Sequence, residues 1–332
     1  MTHLTIDERE QIMIGLAQKL SRRSIAIKIN RNHSTVINEL NKNGKWPHKY
    51  IAHEAQKRAS KLVRKTKQQR KIDKYPKLKQ YVFKKLKLKW SPEQISHDLK
   101  KKYPDQKHMN ISHESIYTYI YILPRGEMRK ELISYLRLGT VGRQKRMRHG
   151  ASRQGKIPNI ISISDRPKEV EGRIVPGHWE SDLIVGKDHK SAIGTIVERT
   201  TRTTLIVPLK SKTALDVRKA FAKKLKTLPK QMIKSITHDR GSEMSEHELF
   251  TKDTQIQVFF ADPYSPWQRG TNENTNGLIR QYFPKGTDFN KVSRRELMKV
   301  QKQLNERPRK TLGYMTPKEK FSELLGSGAI GV

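Results

Sequence analysis

The spacing of apolar residues changes from a helical to a strand-like pattern at about residue 174, and this change restricts the folds open to the chain. Ahead of it, apolar residues recur every three or four positions, as in Ile12, Leu16 and Leu20. Behind it, short runs of strand-forming residues alternate with helical stretches. The length of 332 residues is sufficient for two or three domains. We therefore predict a multidomain chain, with all-α modules in the N-terminal half and an α/β domain in the C-terminal half.

The positive charge of the chain is large and unevenly distributed. The formal net charge is +37, and the excess of Lys and Arg over Asp and Glu is 26 in residues 1–160 but 11 in residues 161–332. A charge of this size opposes compaction unless a polyanion offsets it, so nucleic acid is the expected partner. The absence of cysteine excludes thiol nucleophiles and cysteine-containing zinc modules. No signal-peptide pattern and no run of about 18 apolar residues occur, so we expect a cytoplasmic, nucleoid-associated protein without a membrane partner.

The first 45 residues have the pattern of a helix-turn-helix. Three short helices are predicted, the first capped by Thr5 and Glu8 in a capping box and the third capped by Ser34. Asn30 lies between the second and third helices, where a tight turn needs a left-handed backbone. We predict a helix-turn-helix DNA-binding domain over residues 1–45, and a three-helix bundle with a polar face is the alternative.

The predicted third helix offers a polar face to DNA. Its apolar residues Val36 and Leu40 define the side that packs on the other helices. The predicted DNA contacts on the opposite side, where side chains can meet base edges and phosphates, are Thr35, Asn38, Asn41 and Lys42.

Three further segments complete the N-terminal half. Residues 46–89 are rich in Lys and Arg and are predicted to be a basic linker or helix. Residues 90–138 contain a second capping box, Ser91 with Gln94, and are predicted to form a second helix-turn-helix-like domain; a helical spacer is the alternative. Residues 139–173 combine glycine, proline and dense charge, which is typical of an interdomain linker.

Residues 174–325 have the strand and helix order of a ribonuclease-H-like fold. The candidate strands are HWESDLIV, SAIGTIVERT, TTLIVPLK, MIKSITHD and QIQVFFAD. A helix capped by Thr213 separates the third strand from the fourth, and another helix follows the last strand. In such a fold the first three strands are antiparallel, and the later strands run parallel through helical crossovers.

Three acidic residues lie at places in this fold that suit phosphodiester chemistry. Asp182 lies in the first strand, Asp239 ends the fourth and Glu273 lies on the late helix, with 56 residues between the first two acids and 33 between the last two. Phosphodiester transfer with two metal ions requires several oxygen ligands around ions about 4 Å apart. All-oxygen ligands favour Mg²⁺, so two Mg²⁺ ions are expected, and Mn²⁺ can substitute.

Other residues near the candidate acids offer alternative roles. Glu180 shares a strand face with Asp182 and is a rival ligand. Glu243 follows Asp239 and can also approach a metal ion. The simpler explanation is that an acid at the start of a helix is stabilised by the positive end of the helix dipole. The two histidines that flank the aspartates, which can handle protons or form local hydrogen bonds, are His178 and His238.

The late helix has one face that is expected to border the candidate acids. Arg269, Asn276 and Arg280 share the face of Glu273. Both arginines can hold phosphates of the cut strand, and Asn276 is grouped with them as a DNA contact. Trp267 can stack on an unpaired base beside the cut, with structural packing as the alternative.

Seven stretches of the chain resemble the insertion-sequence-thirty family of bacterial transposases. They span nearly the whole chain and read LTIDEREQI, SRRSIAIKINRNHSTVINEL, WSPEQIS, GHWESDLIVG, THDRGSE, DPYSPWQRGTNENTNGLIRQYFPKGTDF and LNERPRKTLGYMTPKE. In that family the acids of the HWExD strand, the T-x-D-x-G strand and the NExxNG helix form the catalytic triad. The resemblance places these roles, and the binding of metal, on Asp182, Asp239 and Glu273. It also implies a retroviral integrase-like catalytic domain. The chain departs from the family pattern at Asn30 and Asn38. The resemblance therefore does not imply which DNA sequence the protein recognises.

The resemblance implies that the N-terminal modules bind the terminal inverted repeats of the protein's own insertion sequence. The C-terminal domain then cuts this double-stranded DNA and joins the freed 3′ end to target DNA. Because two ends are cut together, a homodimer or larger synaptic assembly is expected. A helix-turn-helix repressor whose C-terminal domain only dimerises is the alternative from another class, and it leaves the three acids without a purpose. An inactive domesticated copy is a third alternative, although all three acids are present.

Overall fold

The chain divides between Pro76 and Lys77 into two units. The computed structural model describes residues 4–43, 50–67, 69–136, 157–263 and 265–326. No helix within these ranges is both long enough and apolar enough to cross a membrane.

The first unit is helical. Its helices are α1 (Ile6–Ala17), α2 (Arg22–Lys28), α3 (His33–Asn43), α4 (Ala52–Lys67) and α5 (Lys71–Lys74). The capping box of Thr5 with Glu8 is confirmed, and so is the left-handed backbone of Asn30, with φ of 49°. The predicted cap of the third helix is wrong. This helix begins at His33, and the Asn32 side chain, ahead of Ser34, accepts a hydrogen bond from the Ser34 backbone N at 3.0 Å.

The core of the first unit combines an apolar cluster with a buried ion pair. Ile12, Ile25 and Val36 are fully buried and join α1, α2 and α3. Beside them, Arg9 Nε on α1 lies 2.7 Å from Glu39 Oε1 on α3, and both side chains are less than a tenth exposed. Because an unpaired buried charge is costly, this pair fixes α3 against α1.

In the part of the chain that the structure describes, four further α-helices precede the sheet, and all but the first residue of α6 belong to the second unit. They are α6 (Pro76–Lys87), α7 (Pro92–Lys102), α8 (His113–Ile122) and α9 (Glu127–Ser134). The capping box of Ser91 with Gln94 on α7 is confirmed. Gln94 also accepts a hydrogen bond from Arg307 Nε at 2.9 Å, and the His97 ring stacks on Tyr314. The start of α7 is therefore held by the C-terminal part of the same unit.

The rest of the second unit is built on a five-stranded mixed sheet. Its strands are β1 (His178–Val185), β2 (Ala192–Glu198), β3 (Thr204–Pro208), β4 (Ser235–His238) and β5 (Gln257–Phe260). Its helices are α10 (Ala214–Leu225), α11 (His247–Thr254), α12 (Gly270–Ile279), α13 (Arg294–Asn305) and α14 (Pro317–Gly326). The strand order is β3-β2-β1-β4-β5, with β1, β2 and β3 antiparallel and β1, β4 and β5 parallel. The predicted ribonuclease-H-like order and strand directions are confirmed.

Helices cover both faces of the sheet because its strands are apolar on both sides. On one face, Leu205 and Val207 pack with α10 and α11. On the other, Ile206 packs with α12 and α13. At Gly194 in β2 a Cβ would overlap the Phe221 ring, so the absence of a side chain lets α10 approach the sheet.

The two edges of the sheet are covered in different ways. At the β3 edge, Asn305 on α13 accepts a hydrogen bond from Thr204 N at 2.8 Å, and Gln301 accepts one from Ile206 N at 2.9 Å. At the β5 edge, Ser162 forms a parallel bridge with Phe260. Covered edges do not pair with other chains, which protects the domain from edge-to-edge association.

Candidate active site

Asp182 and Asp239 lie side by side at one end of the sheet. Asp182 is in β1, and Asp239 directly follows β4. These two strands are parallel neighbours, with Glu180 opposite Thr237, so both aspartates lie towards the carboxyl ends of their strands. Their side chains are 23% and 37% exposed, which leaves this end of the sheet accessible to a substrate.

The guanidinium of Arg269 lies between the two aspartates. Arg269 Nη2 donates a hydrogen bond to Asp239 Oδ2 at 3.1 Å, and Nη1 lies 3.7 Å from Asp182 Oδ1. Nη1 also donates to the Ser181 carbonyl at 3.0 Å. The Arg269 side chain is 12% exposed, so the positive charge is held at the site rather than in solvent.

Asp182 is further held by neutral donors. Leu183 N donates to Asp182 Oδ1 at 2.8 Å, and Asn276 Nδ2 donates to Oδ2 at 2.9 Å. Burial raises the pKa of Asp182 to about 6 against the opposing effect of Arg269, and the negative charge of Asp239 raises it further. Additional positive charge beside this pair of acids would therefore be stabilising.

Glu273 is not joined to the two aspartates in this structure. It lies in the first turn of α12 and its side chain is exposed, and no hydrogen bond or ion pair links it to Asp182 or Asp239 in the described ranges. Among the residues that the structure describes, no three His, Cys, Asp or Glu side chains are grouped closely enough to hold a metal ion. The structure thus brings two of the three predicted ligands together.

The two rival acids have different surroundings. Glu180 is fully buried, and its Oε1 lies 2.7 Å from Arg199 Nη1 while Oε2 accepts a hydrogen bond from Asn272 N at 2.9 Å. These partners give Glu180 a structural role. Glu243 lies in a 3-10 turn after β4, where burial raises its pKa and the charge of Asp239 raises it further. Glu243 is therefore electrostatically coupled to the two aspartates.

The two flanking histidines are buried and hydrogen-bonded locally. His178 Nδ1 lies 2.8 Å from Ser235 Oγ, and burial lowers the pKa of His178 to about 4. His238 contacts the Ser181 hydroxyl, and burial lowers its pKa to about 3. Both rings are neutral at neutral pH, which favours the local hydrogen-bonding role over proton transfer.

The predicted DNA contacts around α12 are in three different environments. Asn276 and Arg269 face the aspartates. Arg280 instead donates to the Val185 carbonyl at 2.7 Å, at the end of β1. Trp267 is 73% exposed, so the packing alternative is not supported and its ring is free to meet a ligand.

The polar face of α3 is open, as a DNA-reading helix requires. Asn38, Asn41 and Lys42 are exposed and Thr35 is half-buried, while Val36 on the other side is fully buried. Their roles as DNA contacts stay predictions.

The sequence reasoning missed the contribution of Thr195 to this site. Thr195 lies opposite Asp182 in the β1–β2 pairing and is fully buried. Its hydroxyl is 2.9 Å from Asn276 Oδ1, which orients the amide so that Nδ2 faces Asp182. No sequence signal could identify this contact, because the strand register is needed to place Thr195 beside Asp182.

Two family models match the chain. A helix-turn-helix domain matches residues 1–43, and an integrase core domain matches residues 173–266. The second match contains the sheet, Asp182 and Asp239. Together with the mixed five-stranded sheet, these matches define a protein that carries an integrase core domain and a helix-turn-helix domain.

Relatives of similar length identify the family. The transposase for insertion sequence element IS1086 from Cupriavidus metallidurans is 42% identical and the match covers 97% of this chain and 94% of that protein. Transposase InsI for IS30A from Escherichia coli is 43% identical over 96% of this chain and 83% of that protein. The chain belongs to the IS30 family of transposases. The transposase for IS4351 from Bacteroides fragilis is 37% identical over 99% of this chain and 98% of that protein.

The catalytic core domain of BIV integrase is similar to part of the structure. It is 19% identical, and the match covers 46% of this chain and 97% of that chain with a TM-score of 0.36.

Proposed function

We propose that this transposase binds the terminal inverted repeats of its own insertion sequence and cuts and rejoins DNA through Asp182, Asp239 and Glu273. The two aspartates carry the proposal, because parallel pairing of β1 with β4 puts them next to each other at an accessible end of the sheet. Glu273 precedes Asn276 by three residues on α12, so the two share one side of the helix. Asn276 contacts Asp182, and this supports Glu273 as the third acid at the same site.

The donor set suits a hard divalent cation. Asp182, Asp239 and Glu273 offer carboxylate oxygens, which Mg²⁺ prefers and Mn²⁺ also accepts. The raised pKa of Asp182 reflects burial and the nearby negative charge of Asp239, and both penalties would be relieved by a bound cation. When bound, two such ions would activate the attacking hydroxyl and stabilise the leaving oxygen.

The chain's own residues would position DNA for this chemistry. The polar face of α3 would read the inverted repeat from the major groove, with Asn38 and Asn41 at base edges and Lys42 at phosphate. At the cut, Arg269 would hold a phosphate of the scissile strand and Trp267 would stack on a base beside it. Water attacks in the first step and the freed 3′ hydroxyl attacks target DNA in the second, so no covalent protein–DNA bond is formed. Pairing of two element ends implies a homodimer or larger assembly.

The experiment is cleavage of a labelled inverted-repeat duplex with Mg²⁺ or Mn²⁺, beside a gel-shift measurement of binding. Asp182→Asn and Asp239→Asn keep the shape but remove the charge that holds a dication, so both should lose cutting and retain DNA binding. Asp188→Asn is the matched control, because Asp188 is an exposed aspartate in the loop after β1. Normal cutting by both site variants would rule out the proposed mechanism.

A further inference from the structure

The proposed metal site already contains a positive charge that belongs to the protein. We propose that Arg269 is a tethered counter-ion that competes with divalent metal for Asp182 and Asp239, and that a DNA phosphate displaces it. This inference rests on the proposed metal-dependent function. It assigns to Arg269 a role in the free protein that precedes its contact with DNA.

Arg269 differs from the other hydrogen-bond donors to the two aspartates because it carries a positive charge. Every carboxylate oxygen of the pair has a donor: Leu183 N and Asn276 Nδ2 serve the two oxygens of Asp182, while Gly241 N at 3.3 Å and Arg269 Nη2 at 3.1 Å serve those of Asp239. The first three of these donors are neutral. A metal ion can share an oxygen with a neutral donor, but it is repelled by a guanidinium at the same oxygen.

The Arg269 guanidinium has one hydrogen bond to the pair of carboxylates. Its Nη2 donates to Asp239, while its Nη1 lies 3.7 Å from Asp182 Oδ1 and donates to the Ser181 carbonyl at 3.0 Å, so it does not form the bidentate pair that arginine forms in tight complexes. Its Nε is buried and has no hydrogen-bond partner among the described residues. A phosphate offers oxygens to all of these donors, so transfer of the guanidinium to DNA satisfies a group that the protein leaves incomplete.

The backbone that carries Arg269 is anchored independently. Gln268 accepts a hydrogen bond from Asp262 N at 2.7 Å and donates one to Asp262 Oδ2 at 2.9 Å. The guanidinium can therefore swing from the aspartates to a phosphate by side-chain rotation while the turn stays in place. Trp267, two residues earlier, is exposed on the same turn.

This arrangement couples the binding of metal to the binding of DNA. If DNA removes Arg269 from the aspartates, it raises their affinity for metal, and by linkage metal raises the affinity for DNA to the same extent. In the free protein the aspartates bind metal weakly. The nuclease chemistry is thereby restricted to the complex with DNA.

The test measures Mn²⁺ affinity of the full chain without DNA, by electron paramagnetic resonance of free Mn²⁺. Arg269→Gln should bind Mn²⁺ about tenfold more tightly than the unmodified protein, within the usual range of coupling between sites. Arg240→Gln is the matched control, because Arg240 follows Asp239 in the chain but is paired with Asp262 at 3.3 Å. The Mn²⁺ affinity of Arg240→Gln should stay within about twofold of that of the unmodified protein. Equal gains in both variants would indicate a general charge effect and overturn the proposal.

A second pair of variants separates this inference from the proposed function. Asp239→Asn in the Arg269→Gln background should abolish the gain in Mn²⁺ affinity. If Mn²⁺ binds in a way that depends on Asp239 but Arg269→Gln adds nothing, the metal site stands and the role of Arg269 is wrong. If no variant binds Mn²⁺ at Asp239, the metal-dependent function itself fails. Thermal melting establishes that each variant is folded. Arg269→Lys keeps the positive charge but loses the planar guanidinium, so its Mn²⁺ affinity should lie between those of the unmodified protein and Arg269→Gln.

Discussion

The position of Asp182 depends on two neutral side chains as much as on charge. Thr195 fixes the amide of Asn276, and Asn276 donates to the Asp182 carboxylate. Thr195 is fully buried, so it cannot touch DNA itself. This separates a positioning role for Asn276 from the DNA contact predicted from the sequence.

Thr195→Val and Asn276→Ala should therefore have similar effects on catalysis. Each removes one link that orients Asp182, and the loss of a hydrogen bond of about 1 kcal/mol lowers the rate of cutting roughly fivefold. The dissociation constant for the inverted-repeat duplex should not change. The measurement is single-turnover cleavage beside equilibrium binding. If Asn276→Ala weakened DNA binding and Thr195→Val did not, Asn276 would be a DNA contact instead.

His178 makes the stability of the second unit dependent on pH. Its folded pKa of about 4 lies below the ordinary value of 6.5, because the ring is buried. Above pH 6.5 the ring is neutral in both states and its contribution to stability is complete. Between 6.5 and 4 the unfolded chain binds a proton that the folded unit does not, so this contribution is lost as the pH falls.

His178→Gln should flatten this part of the pH profile. Between pH 7 and pH 4, the free energy of unfolding of His178→Gln should fall by about 2–3 kcal/mol less than that of the unmodified protein, in line with the size of the pKa shift. Urea unfolding of the second unit at several pH values measures this difference. An unchanged slope in the variant would mean that His178 is not protected from protonation.

At the scale of elements, local signals in the sequence determined where several helices begin. The capping boxes at Thr5 and Ser91 were correctly predicted because each depends on residues three positions apart. The prediction that Ser34 caps the third helix was wrong. Asn32, two residues earlier, is an equally good capping residue and accepts the hydrogen bond from the Ser34 backbone N. Strands were predicted from apolar runs, but their register was not, and the contact of Thr195 with Asn276 depends on it.

The packing of α10 on the sheet depends on Gly194. Gly194→Ala should lower the free energy of unfolding by about 1–3 kcal/mol, because the new Cβ would overlap the Phe221 ring. Phe221→Leu in the same chain should recover part of this loss, since the two changes share one contact. Gly277→Ala on α12 is the control, because nothing lies within 4 Å of its Cβ position, and it should leave stability equal or slightly higher. Additive losses in the double variant would contradict this account of the packing.

The exposed face of α3 should separate sequence reading from general affinity. Asn38→Ala should cost about 1–3 kcal/mol at one base pair if Asn38 reads that base. Lys42→Ala should weaken binding to all sequences similarly. It should also reduce the slope of log affinity against log salt concentration by about one, as expected for the loss of one phosphate contact. Binding to inverted-repeat and mutated duplexes at several salt concentrations distinguishes the two. A uniform loss for Asn38→Ala would make it a phosphate contact.

At the scale of the whole molecule, the sequence predicted the class of fold, and it selected Asp182 and Asp239, which the structure places on or directly after two neighbouring parallel strands. The change in apolar spacing near residue 174 correctly separated helical modules from the mixed sheet. The excess of positive charge in the first 160 residues agrees with a helix-turn-helix module there. What the sequence could not predict was the direction of individual side chains at the site. Arg269 was expected at phosphate and Glu273 beside the aspartates, but side-chain direction depends on electrostatic competition between neighbours rather than on helical spacing.

Glu273 and Glu243 are in different environments: Glu273 is exposed, whereas burial and the charge of Asp239 raise the pKa of Glu243. The most direct measurement is cleavage of the inverted-repeat duplex with Mg²⁺ by Glu273→Gln and by Glu243→Gln, each shown to be folded and to bind DNA. We predict that Glu273→Gln loses strand cutting, because the charge that holds a dication is removed, and that Glu243→Gln keeps most of the cutting activity. If Glu273→Gln still cut while Glu243→Gln did not, Glu243 would be the third ligand, and the triad proposed for this transposase would be wrong.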